Sequence, residues 1–206
     1  MSDVSHKAII EAALFAAAEP LSMERLQSLF LETDSLSGAE IKRILGEIKN
    51  DCLQRGVDLQ EVASGYRFQA KVEYASWLQR LWEKKPPKYS RAVLETLVLI
   101  AYRQPITRGE IEQVRGVSVN SDIMKKLFDR EWIKIVGYRD VPGKPAMFGT
   151  TKAFLDYFNL KNLSDLPPLQ TMIDFDRIEQ QLGEQLALSA PTSVIARPAT
   201  HCEVAD

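Results

Sequence analysis

The chain has 206 residues, 45% of them apolar and 26% charged, with a formal net charge of −2. That is ordinary for a globular chain of one large or two small domains, and the balanced charge argues against a dedicated polyanion binder. No stretch reaches the about 18 apolar residues that a membrane span needs, and two cysteines, Cys52 and Cys202, make no disulfide framework. Residues 5–18 then read as a first helix, apolar nearly all round through Ala8, Ile9, Ile10, Ala12, Ala13, Leu14 and Phe15. The start shows no basic segment followed by a small-residue cleavage site, so export is not expected.

Pro20 stops that helix. Ser22 then caps the next one, with Leu21 and Leu26 at hydrophobic-staple spacing. Ser37 with Glu40 forms a capping box for a third helix, whose stripe is Ile41, Ile44, Leu45, Ile48 and Cys52. Cys52 therefore reads as a small core residue. Gly56 ends the helix. Val57 and Leu59, then Tyr66, Phe68 and Ala70, alternate with polar residues about a turn at Ser64-Gly65, the pattern of a hairpin. A short aromatic helix follows, with Trp77, Leu78, Leu81 and Trp82. Glu83 to Ser90, with two prolines and three lysines, reads as a stiff, solvated connector.

The same order then recurs. Leu14 to Leu26 aligns without gaps on Leu99 to Ile111, at an offset of 85 positions. In both copies an apolar helix runs into a proline, an aliphatic residue, a hydroxyl residue and a second helix. The second copy caps with Thr107 and Glu110 and staples with Ile106 and Ile111. Its third helix, capped by Asn120 or Ser121, carries Ile123, Met124, Leu127, Phe128 and Trp132. Ile133, Ile135 and Val136, the turn Pro142-Gly143-Lys144-Pro145, and Met147-Phe148 make the second hairpin. A helix with Phe154, Tyr157 and Phe158 closes it. Three helices followed by a hairpin is the order of a winged helix. The expected fold is mainly α with small β-hairpins, in two tandem winged-helix domains. Their bounds are 1–83 and 91–169, with a linker at 84–90 and a disordered tail at 170–206.

Charge follows this division. Residues 1–83 carry nine basic and thirteen acidic groups, residues 84–144 thirteen and seven, and residues 145–206 four and eight. The basic middle leaves room for weak backbone contact with DNA through Lys84, Lys85, Lys88 and Arg91. The third helices do not offer a clean basic face: Lys42, Arg43 and Lys49 alternate with Glu40, Glu47 and Asp51, and Lys125, Lys126 and Arg130 with Asp122, Asp129 and Glu131. A winged-helix transcription regulator is thus the lesser alternative. There is no phosphate-cradling loop, and His6 and His201 sit near opposite ends, so no catalytic, cofactor or metal site is expected. The apolar excess of the leading helices of both modules points instead to cover by another polypeptide.

Glu95 to Ile111 and Val114-Arg115-Gly116-Val117 resemble the bacterial segregation and condensation protein B (ScpB) family. So do Asp140 to Pro145, Phe148 to Lys152, Phe154 to Phe158 and Leu163 to Leu169. The resemblance spans roughly residues 5 to 169. It implies a non-enzymatic subunit of a condensin-like complex acting in chromosome condensation and segregation. It further implies a homodimer formed through the N-terminal winged helix, which holds the kleisin ScpA and through it, indirectly, the SMC ATPase. The expected setting is the cytoplasm, at the nucleoid, with no membrane contact. The expected dimer residues are Ile9, Ile10, Leu14 and Phe15. The expected kleisin contacts are Tyr102, Arg103, Gln104, Arg115, Asp140, Gly143, Lys144 and Pro145.

Overall fold

A computed structural model describes residues 5–30, 35–81 and 89–167. The fold is mixed: mostly helical, with two small antiparallel sheets. The first half opens with α1 (His6–Ala16), which ends where Ala17 turns extended ahead of Pro20. In α2 (Met23–Gln27) the Ser22 hydroxyl accepts the Arg25 N–H at 3.3 Å, the cap expected from the sequence. In α3 (Gly38–Asp51) the Ser37–Glu40 box is closed at both ends. Its stripe of Ile41, Ile44, Leu45 and Ile48 runs on to Cys52, and all five are buried with Ile10, Leu14, Leu21, Leu26 and Leu59. Burial pushes the Cys52 thiol up, as suits a core residue. Strands β1 (Val57–Val62) and β2 (Gly65–Ala70) pair from Val57↔Ala70 to Val62↔Gly65, leaving Ala63 and Ser64 as a two-residue turn. Leu21 adds a bridge to β2, exchanging two 2.9 Å hydrogen bonds with Tyr66.

The second half is built the same way. It contains α5 (Arg91–Arg103), β3 (Ile106–Thr107), α6 (Arg108–Arg115), α7 (Ser121–Asp129), β4 (Ile133–Tyr138), β5 (Ala146–Thr150) and α8 (Lys152–Tyr157); α4 (Ala75–Leu78) stands between the halves in sequence. Asn120, not Ser121, supplies the α7 cap, and the Thr107–Glu110 box is complete. Where the first copy has a single bridge, the second has the strand β3, giving a sheet ordered β3-β5-β4. The residue before a helix cap is extended in any case, so Ile106 needs only a neighbouring strand to pair with, and β5 provides it. A separate core gathers Val93, Leu97, Ile100, Ile111, Leu127 and Trp132. Trp132 is ringed by Tyr157 at 4.7 Å, Tyr89 at 5.2 Å and Phe158 at 5.3 Å between centroids.

Three expectations need correction. The short aromatic helix of the first half does not close its core: α4 has four residues flanked by 3-10 turns, and Trp77 and Leu81 are exposed. So short a helix presents no stripe, and Ala75 is its one buried residue. Trp82 lies outside the described residues. At the end of the connector, Tyr89 packs on Trp132 with the Arg130 guanidinium 4.7 Å over its ring, so it belongs to the second core. Finally, α5 is deep rather than awaiting a partner: Val93, Leu94, Thr96, Leu97, Ile100 and Ala101 are all buried. It lies against α6, α7 and β5. The expected tail, 170–206, lies outside the described residues.

Among the described residues the halves meet at a hydrogen-bonded joint that the sequence does not reveal. The hairpin turn Ala63–Ser64 and the β2 residue Arg67 bond to the end of α8 and the residues just after it. All six residues of β2 are half-buried, including those whose alternation marks a solvent face.

Candidate partner-binding surfaces

The expected dimer residues divide. Ile10 and Leu14 point into the first core, Ile9 is half-buried, and Phe15 is 84% exposed. Phe15 stands over a groove of about 420 Å³ lined also by Ala8, Ala12, Val57 and Phe68. The Arg55–Glu11 ion pair, at 2.9 Å, borders it. A large aromatic ring held in water beside an apolar groove is the kind of feature that marks a contact surface. The helix buries one stripe and leaves Phe15 on an open second one, so its all-round apolar pattern divides between a core face and a solvent face.

The expected kleisin residues divide as well. The Tyr102 hydroxyl donates to the Pro167 carbonyl. The Gln104 side-chain oxygen accepts the Thr150 N–H at 2.8 Å, and its amide donates to the Ala101 carbonyl at 3.0 Å. Gln104 thus ties the end of α5 to β5. Arg115 has a side chain 9% exposed and pairs with Glu95 at 3.1 Å, tying α6 to α5. These three are occupied within the fold. Arg103, Asp140, Gly143, Lys144 and Pro145 are exposed.

The last four form the second wing, which is stiff for a loop. Arg139 N–H donates to the Pro145 carbonyl and Lys144 N–H to the Val141 carbonyl, both at 2.9 Å. Gly143 and Lys144 have φ of 86° and 36°, left-handed values that turn the chain sharply at the tip. The Arg139 guanidinium pairs with Glu110 and so anchors the wing to the capping box of α6. On the strand behind it Ile135, Val136 and Tyr138 are exposed.

The Glu110 carboxylate lies below its usual range, first because it accepts the Thr107 N–H at 2.8 Å and hydroxyl at 2.9 Å, then through Arg139. Folding therefore favours the charged form. Its stabilising contribution is present above the ordinary glutamate value of about 4.5 and is lost as pH falls through the lower folded value. Thermal midpoints are expected to fall in acid below about pH 4.5, and Glu110→Gln, which keeps an acceptor but does not titrate, is expected to flatten part of that fall. Parallel midpoint curves for the two proteins would refute the assignment.

Of the basic candidates, Lys84, Lys85 and Lys88 lie outside the described residues. Arg91 pairs with Glu95 at 3.0 Å. On α3, Arg43 pairs with Glu47, and Lys7 of α1 reaches Asp51 at 2.6 Å, so neighbouring carboxylates offset the positive charge there. Among the described residues no group of three or more His, Cys, Asp or Glu could hold a metal ion, and no helix is long and apolar enough to cross a membrane.

The described residues thus form two helix-and-hairpin halves with separate cores, exposed apolar side chains and a charged wing. Comparison with known proteins gives the family. Residues 8–169 match the family model of the segregation and condensation complex subunit ScpB. The segregation and condensation protein B homolog of Coxiella burnetii (strain RSA 493 / Nine Mile phase I) is 69% identical over 188 residues, covering 91% of this chain and 90% of that one. Segregation and condensation protein B of Syntrophotalea carbinolica is 41% identical over 184 residues, covering 88% and 91%. A solved structure described as a dimer of the ScpB N-terminal domain complexed with ScpA peptide is 34% identical, covering 39% of this chain and 92% of that one, with a TM-score of 0.33. The chain belongs to the ScpB family.

Proposed function

We propose that this chain is a non-enzymatic subunit of a bacterial SMC–kleisin complex that condenses and segregates chromosomes. It acts as a homodimer of two tandem winged-helix domains, residues 1–83 and 91–169, joined by a connector whose end, Tyr89, packs into the second core. The observation that carries this reading is the family match over residues 8–169, together with 69% identity to the Coxiella burnetii relative. The dimer forms through the first domain, where Phe15 and the groove beside it supply the uncovered apolar surface. The kleisin ScpA is held by the second domain, with Arg103 and the wing residues Asp140, Gly143, Lys144 and Pro145 as its exposed contacts. The SMC ATPase is reached through ScpA. The complex works in the cytoplasm at the nucleoid, and direct DNA contact is at most weak and non-specific.

The offset charges on α3 support a protein surface over a base reader, since phosphate neutralisation dominates DNA affinity. Calorimetric titration of the full-length chain with the central segment of ScpA tests the proposal. Binding is expected, and Lys144→Glu with Asp140→Lys is expected to weaken it about tenfold or more, the scale of a disrupted charged contact set. Duplex DNA is expected to bind weakly and to release at physiological salt. Tight, sequence-selective DNA binding with no response to ScpA would overturn the reading.

A further inference from the structure

We infer that the first hairpin is a fastener rather than a free wing: its tip is plugged into the end of α8 and locks the two halves into one rigid body. In a two-residue hairpin turn the N–H groups of the turn residues have no ladder partner. Here both are taken by the other half. Ala63 N–H donates to the Leu160 carbonyl at 3.0 Å, and Ser64 N–H to Asp156 Oδ1 at 2.9 Å. The Ser64 hydroxyl donates to the other carboxylate oxygen of Asp156 at 2.6 Å, so Asp156 grips the turn with both oxygens. Three residues further on in β2, a single nitrogen of Arg67, Nη2, donates to the Asp156 carbonyl at 2.8 Å and to Asn159 Oδ1 at 2.7 Å. Glu61 and Lys161 flank the joint at 2.5 Å.

The chemistry is that of a made interface rather than a chance touch. Arg67 is desolvated enough to pull its guanidinium below its usual range, a cost that a surface arginine in water does not bear. Asn159 has φ of 56°, a left-handed value that asparagine tolerates better than most, and it stands between the end of α8 and Leu160. The hydrogen bonds are charge-assisted at Asp156 and Arg67 and half-buried, conditions under which each is worth more than an exposed pair. Because they converge on one turn and one helix end, they open together or not at all. The consequence is that the Phe15 face and the second wing are held in a fixed relation. The inference rests on the joint alone and stands whether or not ScpA binds.

Amide hydrogen exchange on the full-length protein tests it. In a free turn Ala63 and Ser64 exchange fast, so any protection there reports closure of the joint. Both amides are expected to be protected at least about tenfold over a free turn. Arg67→Ala touches neither amide, yet it is expected to speed exchange of both by about tenfold, the effect of losing a charge-assisted bond of about 1.4 kcal/mol. Core amides of Ile44 and Ile100 should keep their protection, which shows both halves still folded. Should Arg67→Ala unfold the first half, Asn159→Gly removes the acceptor from the other side, suits the positive φ and is expected to act in the same direction. Free exchange at Ala63 and Ser64 in the unaltered protein, or unchanged protection in a folded Arg67 variant, would overturn the inference.

Discussion

Trp132→Ala is expected to destabilise the chain by about 3–5 kcal/mol, the range for removing a large buried aromatic. Trp132 is 3% exposed and is the hub of the second core. It touches Tyr89 before α5, and Tyr157 and Phe158 at the end of α8. Removing it takes one aromatic contact from each of three rings, and each such aromatic pair adds about 0.5–1.5 kcal/mol beyond its buried area. Denaturant unfolding followed by tyrosine fluorescence and far-ultraviolet dichroism measures the loss. Because Phe158 adjoins the residues that receive the first hairpin, exchange at Ala63 and Ser64 should rise in the same variant while Ile44 stays protected. A loss below about 1 kcal/mol, the level of a tolerated surface change, would contradict the assignment of Trp132 as the hub.

Gly65→Ala is expected to cost about 2 kcal/mol or more, the sum of backbone strain and a broken bridge. Gly65 has φ of 140°, a conformation that residues with a side chain rarely adopt. A Cβ there would lie 2.1 Å from the Leu21 carbonyl oxygen and 2.4 Å from its carbon. Neither atom is the end of a flexible chain. The Leu21 carbonyl accepts the Tyr66 N–H at 2.9 Å, so the bridge that holds the α1–α2 turn against β2 must break. Gly143→Ala is the control: its φ of 86° is also left-handed, but a Cβ there meets nothing within 4 Å. Its cost is expected near about 1 kcal/mol, the backbone part alone. Equal midpoints for the two variants would show that the close approach at Gly65 carries no weight.

Local signals are legible in the sequence because they act over three or four residues. The boxes Ser37–Glu40 and Thr107–Glu110 are closed, and the stripe from Ile41 to Cys52 is buried throughout. Both staples hold, with Leu21 and Leu26, and Ile106 and Ile111, buried in their respective cores. What is not legible in the sequence depends on partners far away in the chain. Gln104 stands at the end of a helix, where a polar residue reads as a surface contact, but its acceptor and donor lie 46 residues on at Thr150. Arg115 looks like an interface anchor until Glu95, 20 residues before it, is placed beside it. Arg67 alternates with apolar neighbours as a solvent-facing strand residue does, and only the fold brings Asp156 and Asn159 to it across 89 and 92 positions. Ile10 and Phe15 belong to one apolar run, and the sequence carries no mark of which side of the helix meets the core.

The candidate surfaces follow the same rule. The second wing was legible because Pro142, Gly143 and Pro145 are turn chemistry on their own. The Phe15 groove was legible only as a surplus of apolar residues, since Val57 and Phe68 reach it from a hairpin more than 40 positions away.

Sedimentation equilibrium of the full-length chain, alone and with the central ScpA segment, tests the central claim most directly. The expected result is a species of twice the chain mass on its own and a heavier one that retains ScpA. Phe15→Glu, which alters an exposed side chain and leaves the core intact, should shift the chain towards single copies. A single-copy species at every concentration, unchanged by ScpA, would contradict the account.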